Sequence, residues 1–279
     1  MSDTRQDMLE RWERAAAGWG KRAERVRDLG MAVSLWLIEH LQLQPGQRLL
    51  ELAAGPGDTG FLAAELLEPG GTVICSDATE AMLDVARARA GRLGVSNVEF
   101  RRLELEWIDL DTASVDAVLC RWGVMLVPDP AAALKETRRV LRPGGRLTLA
   151  VWAEAKANPW ATIPGRALVE LGHADPPDPN APGMFSLAAP ERLTEMLQDA
   201  GFVEATVETV GIERAYESLD DYLQETLDLS LAFSDPFRAL GASEQEKVTR
   251  LMHRLAAPYV TPEGWLRLPG SSLVAVADG

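Results

Sequence analysis

The chain has 279 residues, 47% of them hydrophobic, and a formal net charge of −14. That is enough apolar material for a large α/β domain, while the charge opposes binding to nucleic acid or to an anionic membrane surface. No apolar run approaches the roughly 20 residues of a membrane span, no C-x-x-C occurs, and His40, His173 and His253 are scattered, so neither a span nor a metal site is expected.

The N-terminal stretch is charged and has no apolar signal core, and Cys75 and Cys120 lie in apolar runs. A cytoplasmic protein with two buried thiols is expected. In chain order, residues 1–30 read as an amphipathic helix carrying Trp12 and Trp19, and 31–43 as a more apolar helix stopped by Pro45-Gly46. Strands follow at 48–52, 72–76, 98–101, 115–120 and 146–152, with helices at 58–68, 79–93 and 130–141 between them. Pro69-Gly70-Gly71, Gly94 and Pro143-Gly144-Gly145 end those helices. Such alternation predicts a doubly wound, mostly parallel sheet with right-handed crossovers. Residues 153–185, with Asp175-Pro176-Pro177-Asp178-Pro179 at their centre, read as a long connection or lid and not as a strand. A helix at 191–200, a strand at 203–210, a mostly helical insertion at 218–258 and a last strand at 272–277 complete the chain. The segmentation is therefore cap helices at 1–45, a Rossmann-like core at 46–152, and at 153–279 the lid, the last strands and the insertion.

The stretch LELAAGPGDTG, residues 50–60, joins the first strand to a helix. Gly55, Gly57 and Gly60 are spaced as G-x-G-x-x-G, the pattern of a dinucleotide site. Asp77 lies 22 residues after Gly55 and ends the next strand, where a carboxylate accepts ribose hydroxyls. Any adenosine ligand is served so far. Charge separates the candidates: Glu51 and Asp58 flank the loop, and two carboxylates repel a pyrophosphate while attracting a sulfonium and an ammonium. S-adenosylmethionine carries both cations.

Four motifs occur in order: LELAAGPGDTG (50–60), CSDATEAMLDVARARA (75–90), SVDAVLCRWGVMLVPDP (114–130) and LKETRRVLRPGGRLTLAVW (134–152). On these the chain resembles the class I S-adenosylmethionine-dependent methyltransferases, and within them the branch of ubiquinone/menaquinone-biosynthesis C-methyltransferases. The resemblance implies a seven-stranded Rossmann-like sheet and S-adenosylmethionine as cofactor. It places Glu51, Ala53, Gly55 and Gly57 at the cofactor loop, Asp77 on the ribose, and Ala78 and Met82 near the adenine. Glu104 stands where relatives commonly have the aspartate that accepts the adenine amino group, with Leu105 offering its backbone N–H to the ring. Main-chain carbonyls around Cys120 would hold the cofactor ammonium, and Trp19, with Trp12, would sit on a cap helix closing over the site. Ala53 replaces the first glycine of the motif, so a backbone there without positive φ is expected. Relatives often show a pair of histidines where this chain has Met125-Leu126.

Methyl transfer from a sulfonium is an in-line displacement that needs orientation, water exclusion and, for some acceptors, a base. His173 is the first candidate base, ahead of His253, Tyr216, Tyr222 and Tyr259; Arg121, directly after an apolar strand, either orients an anionic acceptor or pairs with an acid. Leu223, Leu227, Leu231, Phe233 and Phe237 at helical spacing serve as core, as a lid over an apolar small molecule, or as both. The expected acceptor is a small, partly hydrophobic molecule and not a nucleic acid, with a homodimer left open. An NAD-linked oxidoreductase and a non-catalytic protein that kept the fold are the alternatives.

Overall fold

The structure, a computed structural model, describes residues 2–178 and 181–279. Its sheet is built from β1 (Arg48–Leu52), β2 (Thr72–Asp77), β3 (Val98–Arg102), β4 (Val115–Arg121), β5 (Leu141–Trp152), β6 (Val203–Tyr216) and β7 (Leu266–Asp278), in the order β3-β2-β1-β4-β5-β7-β6. β1 to β5 run parallel to one another, and β7 runs antiparallel to both β5 and β6. Strands covered on both faces need continuous apolar runs, and β1 and β4 supply them: Leu49, Leu50, Leu52, Val118, Leu119 and Cys120 are all buried. The chain winds in opposite directions from β1 and from β4, so a crevice opens between their carboxyl ends, where ligands bind in such sheets.

The helices are α1 (Ser2–Lys21), α2 (Ala23–Leu41), α3 (Thr59–Ala63), α4 (Glu80–Leu93), α5 (Pro130–Val140), α6 (Pro159–Glu170), α7 (Pro190–Asp199), α8 (Leu219–Leu229), α9 (Leu231–Ala239) and α10 (Ala242–Ala256). Leu37 of α2 packs with Leu49, Val73 and Leu119 on one face of the sheet. Leu134 of α5 and Leu193 of α7 pack with Leu50, Val118 and Leu147 on the other. No helix among the described residues is long and apolar enough to cross a membrane.

Four boundaries differ from the sequence expectation. The first helix breaks at Arg22, whose side chain bonds Asp228 of α8 at 2.7 Å, and not at Gly30. Gly30 lies inside α2 and is there a packing glycine, since a Cβ would strike Arg121 and Trp122. The helix after the glycine loop is α for only five residues and continues as a 3-10 turn over Ala64–Leu67. The last two strands are far longer than expected: β5 ends with Trp152 opposite Ser272, while β6 and β7 stay paired to Tyr216↔Leu266. That extension overhangs the carboxyl edge of the sheet and carries α8–α10 above the crevice.

Residues 153–185 contain the helix α6, with Pro159 at its start and Pro164 inside it. An interior proline removes the N–H that would bond the carbonyl four residues back, here that of Trp160. The Tyr222 hydroxyl donates to that carbonyl instead, at 2.6 Å. Ile163, Ala167 and Leu168 join Leu223, Phe233 and Phe237 in a separate core beneath the overhang. Leu227 lies at its edge, and Leu231 packs against α1. Pro179, in the centre of the expected lid, lies outside the described residues.

Candidate functional site

β1 delivers the chain into a turn closed by the Gly57 amide on the Ala54 carbonyl at 3.0 Å. Gly55 and Gly57 take φ of 54° and 75°, values open to glycine at little cost. A Cβ on Gly57 would collide with Phe61, whereas one on Gly55 would meet nothing within 4 Å. Gly55 thus faces open space at the crest of the loop. Ala53 also takes positive φ, 49°, contrary to the expectation that alanine would require an ordinary backbone there. The left-handed conformation costs an L-residue about 1–2 kcal/mol, and the surrounding contacts hold it. Trp122, after β4, is a second such residue at φ 61°. The two turns press together, so that a Cβ on Gly123 would overlap the Ala53 methyl.

Glu51 lies beneath the loop. Its Oε1 accepts the Gly60 amide in the first turn of α3 at 3.0 Å, and Oε2 is buried with no partner. A Cβ on Gly60 would strike this carboxyl group, which explains the third glycine of the motif. Burial raises the Glu51 pKa to about 7, against the lowering effect of the Gly60 amide and of Arg121. Glu51 shapes the loop from below.

Asp77 ends β2 beside the crest. Its Oδ2 accepts the Gly55 amide at 3.0 Å, and Oδ1 accepts the Thr79 amide and hydroxyl, each at 3.1 Å. Burial raises its pKa, opposed by those same bonds.

Asp58 does not present a free charge to the crevice. It is buried between two guanidinium groups, Arg89 of α4 and Arg121 of β4, the latter at 2.7 Å. Arg121 also donates to the Ser34 hydroxyl of α2 at 2.9 Å and lies over the Trp122 ring. Of the two options for Arg121, pairing with an acid is the one observed, and the acid is Asp58. The electrostatic contrast drawn from Glu51 and Asp58 is therefore largely cancelled in the folded chain: one carboxylate is doubly paired, and the other is lifted toward neutrality.

The remaining expected cofactor residues border the same crevice or its cap. The Ala78 carbonyl accepts from Arg102 at 3.0 Å. Met82 is buried against Ala15 and Ala16 of α1, with Trp12 and Trp19 packed beside them. Trp19 donates to the Leu229 carbonyl at 3.2 Å, tying α1 to the end of α8. Glu104 is held by Arg5 of α1, and the Leu105 side chain is part of the sheet core. Cys120 pairs in register with Leu52 across β1 and β4, and burial pushes its thiol up to about 12. A cavity of about 320 Å³ lies between α1 and the end of β2, lined by Gln6, Leu9, Glu10, Glu13, Thr79 and Arg102.

The candidate bases lie in the overhanging part. His173 follows α6 and faces Glu244 of α10 at 3.3 Å, and His253 is 3.8 Å from Asp220. Tyr216 donates to the buried Glu225, and burial raises the pKa of both Tyr216 and Tyr222. Tyr259 packs at the edge of the same core. Sequence reasoning placed Trp122 at the end of β4 but missed Arg89 and the joining of that indole to Trp152 and Trp160. Trp122 stacks on Trp152 at 4.2 Å, and Trp160 meets Trp152 edge-on at 4.9 Å.

A family model described as a methyltransferase domain matches residues 43–201. The chain belongs to this family. Its fold is that of the class I S-adenosylmethionine-dependent methyltransferases, as the four motifs imply. The ubiquinone/menaquinone biosynthesis C-methyltransferase of Cellvibrio japonicus is 28% identical over 60% of this chain and 71% of its own length. The arsenite methyltransferase of Halobacterium salinarum is 37% identical over 38% of this chain and 27% of its own. The chain thus spans about a quarter to a third of some curated relatives it matches. Among solved structures, YcgJ of Bacillus subtilis aligns with a TM-score of 0.60 at 18% identity, over 88% of this chain and 97% of its own. A phosphoethanolamine N-methyltransferase of Haemonchus contortus in complex with S-adenosylmethionine aligns at 0.53 and 16%, over 88% and 52%. The [4+2]-cyclase SpnF aligns at 0.53 and 17%, over 88% and 80%. These proteins differ so widely that the fold alone does not name the reaction.

Proposed function

We propose that this methyltransferase-family protein binds S-adenosylmethionine across the carboxyl ends of β1, β2 and β4 and transfers its methyl group to a small, partly hydrophobic acceptor. The observation that carries the reading is the juxtaposition of the open crest at Gly55 with the Asp77 carboxylate, 3.0 Å from the Gly55 amide. Thr79 fixes Oδ1 of Asp77, so the carboxylate is oriented before a ribose arrives. Ala78 and Met82 border the adenine, the Leu105 amide and Glu104 lie at its rim, and carbonyls at the end of β4 accept from the ammonium. Bound there, S-adenosylmethionine supplies an already activated methyl group.

The chain's own contribution is then orientation and exclusion of water. The acceptor enters beneath the overhang of α8–α10, over the indoles of Trp122 and Trp152. The roof of α8–α10 supports a small acceptor, and the half-buried Trp122 indole, backed by the buried Trp152, supports a partly apolar one. Quinone and arsenite relatives support a small acceptor without naming this one. His173, the candidate base, stands with Glu244 on the α6–α10 side of the overhang, and a His173→Ala variant that retains its methylation rate removes it from that role.

Calorimetry with S-adenosylmethionine tests the cofactor. Asp77→Ala removes charge-assisted bonds worth roughly 1.5–3 kcal/mol, so affinity falls by about ten- to a hundredfold. Unchanged affinity would misplace the ribose, and stoichiometric NAD binding in place of S-adenosylmethionine would overturn the reading. A mass-spectrometric search for a methyl gain of about 14 daltons on candidate small molecules then identifies the acceptor; no gain on any acceptor despite cofactor binding favours the non-catalytic alternative.

A further inference from the structure

Resting on that cofactor reading, we propose that Arg89 is a positioning residue for the cofactor loop, acting through the Pro56 and Gly57 carbonyls and through Asp58, with Arg121 completing the clamp from β4. Arg89 is fully buried, an expensive state for a guanidinium unless its donors are engaged. Three of its four partners belong to the loop and are all met by Nη1, with Nη2 buried and unpartnered: the carbonyls of Pro56 at 3.3 Å and Gly57 at 3.2 Å, and the Asp58 carboxylate. The fourth is Glu24 of α2 at 3.0 Å. An apolar side chain would bind α4 to the sheet at lower cost. What an apolar side chain cannot do is hold two carbonyls and a carboxylate in a turn that Ala53 enters with positive φ, a strained value for an alanine.

A second observation points the same way. Asp58 occupies the N-cap position of α3, where an aspartate ordinarily accepts an amide of the first helical turn. It makes no such bond, and Glu51 takes the Gly60 amide in its place. The Asp58 carboxylate is thereby left to bridge Arg89 and Arg121. Since Arg121 also lies over Trp122, the loop that receives the cofactor and the turn that floors the acceptor space are joined through one carboxylate.

The test compares S-adenosylmethionine with 5′-methylthioadenosine, which shares the adenosine but lacks the amino-acid portion that would run from the Gly55 crest to the β4 carbonyls. Binding of both is measured by calorimetry on the wild type, Arg89→Met and Arg89→Lys, well below each variant's melting temperature. Arg89→Met should weaken S-adenosylmethionine about tenfold or more and 5′-methylthioadenosine by about threefold or less, and Arg89→Lys, a cation without the planar fork, should recover part of the difference. A purely structural role weakens both ligands alike, so an unchanged ratio overturns the proposal. Should Arg89→Met not fold, Arg89→Lys decides the matter, because a ratio identical to wild type is equally fatal there. A wild-type protein that binds neither ligand defeats the cofactor reading itself, an outcome distinct from either result with the variants.

Discussion

Glu51 is a carboxyl group with no access to water, one bonded oxygen and one orphaned oxygen. In the folded chain it keeps its proton up to about pH 7, against 4.5 for an unperturbed glutamic acid. Between those values the folded state binds more protons than the unfolded state, so this group's contribution to stability falls as pH rises. A difference of that size corresponds to about 3 kcal/mol across the window. Glu51→Gln keeps the shape and the acceptor for Gly60 and cannot ionise. Urea melts at pH 5 and pH 8 should therefore show the variant gaining on the wild type as pH rises, by about 1–3 kcal/mol; a pH-independent gap would mean that Glu51 is ionised throughout. The sequence placed Glu51 and Asp58 correctly beside the loop but treated both as exposed negative charges. The cancellation by Arg89 and Arg121 is a tertiary effect across more than thirty residues. One sign of it was legible: Arg89 falls on the buried stripe of α4 with Met82, Ala86 and Ala90, a place where an arginine requires a partner. Ala53 was misjudged for a related reason, since positive φ in a non-glycine residue is imposed by neighbours that no local pattern displays.

Among the elements, strands flanked by glycine turns were read closely, because burial on both faces writes continuous apolar runs. Two elements were not. The overhanging halves of β6 and β7 contain Gly211, Pro269 and Gly270, which speak against a strand, and they are long only because they pair with each other. Helix α6 was hidden by Pro164, and its stability depends on a hydroxyl 62 residues away. That dependence has a measurable form. Tyr222→Phe leaves the Trp160 carbonyl without its donor and should cost about 1–2 kcal/mol. Pro164→Ala restores an N–H at the position that bonds this carbonyl within the helix, so Tyr222→Phe should cost distinctly less in the Pro164→Ala background. Chemical denaturation of the four proteins gives the coupling as the failure of the two effects to add. Additive effects would show that the Tyr222 hydroxyl does not stand in for the missing amide.

At the scale of the molecule, an acidic chain closes its crevice with a segment of slight net positive charge. Residues 1–30 contain seven Lys or Arg against six Asp or Glu, while α8 and α9 contain one Arg against five acids. The contacts follow that imbalance: Asp228 receives Lys21 at 2.9 Å and Arg22 at 2.7 Å, and Asp235 receives Arg14 at 2.9 Å. Exposed pairs contribute little, but Asp228 has a side chain only 15% exposed and two cations. Burial alone would raise its pKa, and the hydrogen bonds from Lys21 and Arg22 outweigh that and lower it. A depressed carboxyl group contributes its stability above the unfolded value of about 3.8 and loses it as pH falls through the lower folded value. The cap should accordingly stay docked from pH 8 down to about pH 5 and loosen only below about pH 4. Asp228→Asn should loosen it at every pH, while Gly18, seated against the Asp228 backbone carbonyl, still sets where α1 lands. Hydrogen exchange reads this directly: α1 amides in Asp228→Asn should exchange about tenfold faster than in the wild type at pH 7, with the amides of β1 and β4 unchanged, since local opening and global unfolding are separate events. In 1 M salt, where the screening length is about 3 Å, wild-type α1 should approach the variant's rate. Equal exchange of α1 in both proteins at low salt would place the hold on the cap in the packing of Ala15, Ala16 and Met82 and not in its charges.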